Sequence, residues 1–322
     1  MTFVLSGAQV RVFLKRLTFE DWVSSVQSTE NWISADFNPT IYLPTFSEVY
    51  YLQQTGVQGI GAGVEPVTFP GLPQPALVGE FEAALGEWGM SLVLHKSNLV
   101  DNLIYSFQPA DYPPYVWEAL MVFPLTGGGV HLQNCLPRSM NIQFSEATNL
   151  PTINITFLTN FILFLPPGTF VNIPQPDPPQ AIIPKIYSSI LDMNGVDYWG
   201  LKVSSLNLTV TNNLQGHYTI NRVQTTSPAK RALKMFSMGY QTGELSMRVV
   251  FPPETKQSLQ QADTPIRSVQ LTLLDDEFVN QLGVFNFTGR FSALRWDVNP
   301  TAGVLFELNT SLGGSVFWQY QG

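Results

Sequence analysis

Seven prolines fall within FLPPGTFVNIPQPDPPQAIIPK, residues 164–185, at 166, 167, 174, 176, 178, 179 and 184. Proline fixes φ and has no N–H to give a sheet ladder, so this run reads as an extended, semi-rigid spacer. It divides the 322-residue chain nearly in half. Each half is long enough for an ordinary domain, and near-equal halves call for comparison with each other.

The two halves end alike. In LQNCLPRSMNIQFSEATNLPTINITFLTN, residues 132–160, apolar and polar residues alternate at Met140, Ile142 and Phe144. After a turn holding Asn and Pro they alternate again at Ile153, Ile155 and Phe157. VFNFTGRFSALRWDVNPTAGVLFELNTS, residues 284–311, repeats the scheme. It sets Ser292, Leu294 and Trp296 against the first triplet, and Val304, Phe306 and Leu308 against the second. A period of two marks half-buried strands, so each segment predicts an antiparallel hairpin with one apolar face. The shared scheme predicts a tandem duplication.

Further strands are expected at 90–94, 245–251 and 267–274. Another is expected in VSSLNLTVTNNLQGHYTINRV, residues 203–223, where Leu206, Leu208 and Val210 alternate before an Asn212-Asn213 turn. Helices are expected at Thr18–Trp32, Pro253–Ala262 and Ser227–Gly239, the last with Ser227 as cap, Pro228 in the first turn and Gly239 as terminator. The fold class that follows is mainly β: two tandem β-sandwich domains, each with a flanking α-helix. Residues 1–165 form the first domain, with a long Gly/Pro loop at about 55–78. Residues 166–185 are the Pro-rich linker, and 186–322 form the second domain.

Charged residues make only 12% of the chain, about half the usual quarter. A surface built from Asn, Gln, Ser and Thr costs little to desolvate, which suits large interfaces between copies. The net charge of −8 resides in residues 1–170, with 5 basic and 13 acidic side chains, against 11 of each in 171–322. An acidic first half argues against phosphate capture. Cys135 is alone, so no intramolecular disulfide is expected. The N-terminus lacks a signal-peptide pattern, and the apolar stretch 153–170 is too polar and Pro-broken for a membrane helix. A soluble intracellular chain without a membrane partner is expected.

Catalytic motifs do not emerge. His95, His131 and His217 are scattered, and His131 with Cys135 lacks the further ligands zinc needs, so no metal is expected. TGVQGIGAGVEP has no GK[ST] and leads into prolines, which argues against a phosphate loop and leaves no cofactor expected. Asp275-Asp276-Glu277 follows an apolar strand and reads as a solvated strand end, although paired carboxylates suit acid–base work or a hard cation. No nucleophile elbow, HExxH or kinase signature is present, so the chain is not expected to be an enzyme. Trp88, Trp117, Trp199, Trp296 and Trp318, two of them beside Glu87 and Glu118, leave a carbohydrate-binding β-sandwich as an alternative to core and interface aromatics.

In the second half, GVDYWGLKVSSLNLTVTNNLQGHY, then PPETKQSLQQA, SVQLTLLDD and FTGRFSALRWDVNPTAGVLFELNTS, resembles siphophage major tail tube proteins. The resemblance covers roughly residues 190–318, and in the first half only the final hairpin matches. It implies a tail-tube-like, tandem-duplicated subunit forming a trimeric ring with pseudo-sixfold symmetry, stacked into the long non-contractile tail of a virion. Such a tube is made in the host cytoplasm and conducts viral DNA, and before it the tape-measure protein, without specific binding. The resemblance also implies that another subunit supplies part of the pairing of the sheet around residues 203–223. Glu146, Asp275, Asp276 and Glu277 are the candidate acidic residues of the lumen or of inter-ring contacts. Another bacteriophage structural component, a capsid decoration or tail tip, is the alternative.

Overall fold

The computed structural model describes residues 11–18, 48–50, 58–61, 86–96, 98–108, 115–123, 125–145, 151–159, 161–170, 190–193, 196–197, 202–217, 235–250, 267–274, 281–299, 303–312 and 317–320. These residues are mainly β-strand, and every strand pairing is antiparallel.

Both expected hairpins form. β6 (Gly128–Ser145) pairs with β7 (Thr152–Thr159), setting Met140 opposite Ile155 and Ile142 opposite Ile153. β16 (Gln281–Asn299) pairs with β17 (Gly303–Leu312), setting Leu294 opposite Leu308 and Trp296 opposite Phe306. The first strand of each hairpin carries a register shift, between Pro137 and Ser139 and between Phe291 and Ala293. Each shift is a bulge of one extra residue, Arg138 and Ser292 respectively. Matching the bulges makes Met140 equivalent to Leu294 rather than to Ser292. The alignment by alternation is therefore displaced by two residues, a step that leaves every side chain on its own face and is invisible to a period-two pattern.

The surroundings of the two hairpins repeat as well. The beginning of β6 is flanked by β5 (Tyr115–Phe123) and β8 (Phe161–Leu165), and that of β16 by β15 (Arg267–Leu274) and β18 (Phe317–Tyr320). Outside β5 come β1 (Arg11–Thr18) and then β2 (Glu48–Tyr50). Outside β15 come β9 (Ile190–Met193) and then β10 (Val196–Asp197). β7 is followed by β4 (Gly86–Val93) and β3 (Gln58–Gly61), and β17 by β14 (Thr242–Val250) and β11 (Lys202–Thr211). The pairing order of β1–β8 thus recurs in β9, β10, β11, β14, β15, β16, β17 and β18. Equivalent positions share residues: GEWGMSLV from Gly86 in β4 answers GELSMRVV from Gly243 in β14.

The halves are joined through one sheet. β11 pairs with β14 on one side and with β6 on the other, setting Leu208 opposite both Leu245 and Ile142. From Ser205 to Thr211 both edges of β11 are filled inside the chain, so pairing supplied to this sheet by another subunit would fall at its other strands. Leu92, Ile153, Ile142, Leu208 and Leu245 consequently form one buried apolar row across five strands. The same core cluster includes Leu271 and Phe285 from the second half and Trp88 and Leu103 from the first.

The one helix among the described residues, α1 (Asn98–Tyr105), was not expected from the sequence. It buries Leu99, Val100, Leu103 and Ile104, a helical spacing that shows a single apolar face to the sheet. Trp117 Nε1 in β5 donates to Ser106 Oγ just past its end at 3.1 Å. Three expectations are corrected elsewhere. Residues 235–238 of the expected Ser227–Gly239 helix form β13 (Met235–Met238), paired with β12 (Leu214–His217). Gly239 N donates to Asn213 O at 2.7 Å, so cross-strand partners override the local helix signals there. The 55–78 loop contains strand β3. Thr18, expected as a helix cap, ends β1. Residues 19–32, 62–78, 227–234 and 253–262 lie outside the described residues. Of the linker, 166–170 fold back as a turn on the β5–β6 connection, with Gly168 N donating to Thr126 O and Phe170 N to Gly127 O.

Candidate functional site

Opposite the core, strands β4, β7, β6, β11 and β14 present one continuous face of hydroxyl and amide groups. Two cross-strand rows define it: Ser91, Asn154, Asn141, Thr209 and Glu244, and beside it Val93, Thr152, Gln143, Asn207 and Ser246. These alternate with the buried row through Leu208, as the pleat requires. The groups bond laterally. Asn141 Nδ2 donates to Asn207 Oδ1 at 2.6 Å and to Thr209 Oγ1 at 2.7 Å, and Ser91 Oγ donates to Asn154 Oδ1. The Asn141 bonds cross the β6–β11 junction, so the polar face, like the core, is continuous between the halves.

An amide clamp closes one end of that junction. The Asn212 N–H donates to the Arg138 carbonyl at 2.8 Å and its Nδ2 to the Pro137 carbonyl at 3.1 Å. The β6 bulge leaves these carbonyls outside the regular ladder, and Asn212, 1% exposed, takes both. Gln241 Nε2 then bridges Asn212 Oδ1 at 2.9 Å and the Phe107 carbonyl after α1 at 2.5 Å.

The described side chains of the face balance in charge, with Glu87 and Glu244 against Arg138 and Arg248, all exposed. Arg138 Nη1 lies 2.5 Å from Glu87 Oε2. Glu146, Asp275, Asp276 and Glu277, the acidic candidates, lie outside the described residues. Trp88 and Trp117, the two beside glutamates, are fully buried and offer no surface for a sugar. Trp88 instead stacks on Phe157 at 4.7 Å. His131 is buried 3.4 Å from Glu118, and among the described residues no three His, Cys, Asp or Glu side chains are grouped to hold a metal. No helix among the described residues is long and apolar enough to cross a membrane.

Cys135 is fully buried and receives the Trp88 indole N–H at 3.3 Å. Burial pushes its thiol up from 9.0 to about 12. An acid held neutral by folding stabilises the fold fully below its unfolded pKa, and that contribution fades as pH rises from about 9 toward 12. The folded protein is expected to leave Cys135 unreacted with a thiol reagent at pH 8, and to expose one thiol only after denaturation. Rapid reaction of the native protein would contradict this environment.

Sequence reasoning missed the edges. β3, β4, β7, β6, β11, β14, β17 and β16 run in that order as one sheet. Along the end of β6, from Ser139 to Ser145, β11 fills the side away from β7. Along the equivalent end of β16 that side has no partner among the described residues, nor does β3 on the side away from β4. The GE-x-x-M repeat was the available signal that β4 and β14 are equivalent, while only the pairing shows β3 and β11 as their neighbours. No protein-family model matches the chain, and no curated protein matches it.

Proposed function

We propose that the chain is a tandem-duplicated β-sandwich subunit of the siphophage major tail tube type, which assembles into stacked rings and conducts viral DNA. The β6–β11 junction carries this reading. It joins the first eight-strand unit to the second, and the second ends on an edge equivalent to β6 while the first begins on one equivalent to β11. Repeating the same junction between copies is a head-to-tail contact, which closes into a ring when the rotation permits. Three copies give pseudo-sixfold symmetry and a barrel without free edges, the configuration that removes the aggregation hazard of unpaired strands.

In this assembly the hydroxyl and amide face lines the channel, and the core face packs against β1, β5 and α1. The protein works without chemistry of its own, in the tail of the virion, after synthesis in the host cytoplasm. Its partners are copies of itself, with the tape-measure protein and then DNA inside. Glu146, Asp275, Asp276 and Glu277 follow the ends of β6 and β15 in sequence and are the candidates for acidic lining of the lumen or for inter-ring contacts. Negative-stain images and sedimentation of concentrated protein test the proposal. Rings of three copies and stacked tubes are the expected result, whereas monomers at every concentration would overturn it, and decoration of capsids without tubes would favour another virion role.

A further inference from the structure

The bulge in β6 takes Arg138 out of the regular ladder, and its side chain reaches across β7 to Glu87 on β4. The two side chains are 45% and 50% exposed. An ion pair this exposed adds little to stability, so its presence at a bulge, a device that re-aims a side chain, calls for another role. An unengaged arginine is the side chain best suited to gripping phosphate, through a planar fork of donors. Elsewhere on the face polar groups engage one another: Asn141 Nδ2 donates to Asn207 Oδ1 and to Thr209 Oγ1. The Ser91 hydroxyl goes to Asn154. Arg248 lies in register with Glu307.

From this arrangement we infer that Glu87 is a charge lock: by engaging Arg138 it keeps the polar face from capturing polyanions, so that nucleic acid passes over it without adhering. The inference rests on the tube reading for its biological partner. Its chemistry is neutrality by pairing, not repulsion by a net acidic wall. The second half departs from the first here, since the bulge residue equivalent to Arg138 is Ser292 while Glu244 matches Glu87. The Arg138–Glu87 lock is repeated around a ring, where many weak phosphate grips would add through avidity if they opened.

Glu87→Gln, Arg138→Gln and the double variant, made in the full chain, test the lock with double-stranded DNA as the probe. Wild type and Arg138→Gln are expected not to retain DNA at ~50 mM salt. Glu87→Gln is expected to bind about tenfold tighter or more, the gain of one charge-assisted contact per copy. That gain should fall away toward ~200 mM salt, as counterion release demands. The double variant should return to wild-type behaviour. Equal DNA binding by Glu87→Gln and wild type would overturn the lock, as would a gain that survives removal of Arg138. Sedimentation of the same samples scores assembly separately: absence of rings overturns the tube reading, while DNA binding alone decides the lock.

Discussion

Leu208→Ala is expected to destabilise the chain by about 3 kcal/mol, the usual cost of a cavity at a buried leucine. Leu208 is fully buried in the middle of the five-strand apolar row, between Ile142 of the first half and Leu245 of the second. The lost volume lies at the junction of the two units, where well-packed neighbours on both sides limit collapse into the gap. Denaturant titration should show the loss, and amide exchange should show it on both sides, in β7 as well as in β14, because one core cluster spans them. Thr209→Ala, one residue along on the polar face, serves as the control. It removes only an acceptor for Asn141 and should cost about 1 kcal/mol. A loss below about 1 kcal/mol for Leu208→Ala, or faster exchange confined to the second half, would mean that the junction does not couple the two units.

Alternation was enough to read the hairpins. The triplets at Met140 and Ile153 and those at Leu294 and Val304 do pair across antiparallel strands, and the strand expected at 267–274 forms over the same residues. A period of two reports the face of a strand but neither its partner nor its register. For that reason the bulges at Arg138 and Ser292 were not visible, and the equivalence of the two hairpins was misjudged by two residues. The junction between β6 and β11 was hidden for the same reason, since both strands have alternating faces compatible with many neighbours. α1 is short, and its apolar residues at 99, 100, 103 and 104 are a weak signal that only burial against the sheet makes decisive. The Met235–Met238 strand shows the converse, where capping residues suggested a helix and pairing with Leu214–His217 prevailed. Of the candidate site, the uncharged character of the face was legible from composition. The pairing of Arg138 with Glu87 was not, because the two are brought together only across an intervening strand.

The junction also specifies the contact between copies residue by residue. Within the chain Asn141 of β6 faces Thr209 of β11, and Thr209 in turn faces Glu244 of β14. The matched bulges make Arg295, which faces Glu307, equivalent to Asn141, which faces Asn154. Gly61 faces Glu87 as Thr209 faces Glu244, so Gly61 is equivalent to Thr209. Between copies, Arg295 should therefore face Gly61 at about 4.5–5.5 Å between α-carbons, a separation a disulfide bridges. Cys135 is buried and should not compete. The most direct measurement is oxidation of the assembled Gly61→Cys/Arg295→Cys protein, followed by denaturing electrophoresis. Covalent dimers and trimers, with neither single variant yielding more than background, is the expected result, and mixing the two single variants should give dimers only. A double variant that assembles yet remains monomeric on the gel would contradict a ring built by repeating the β6–β11 junction.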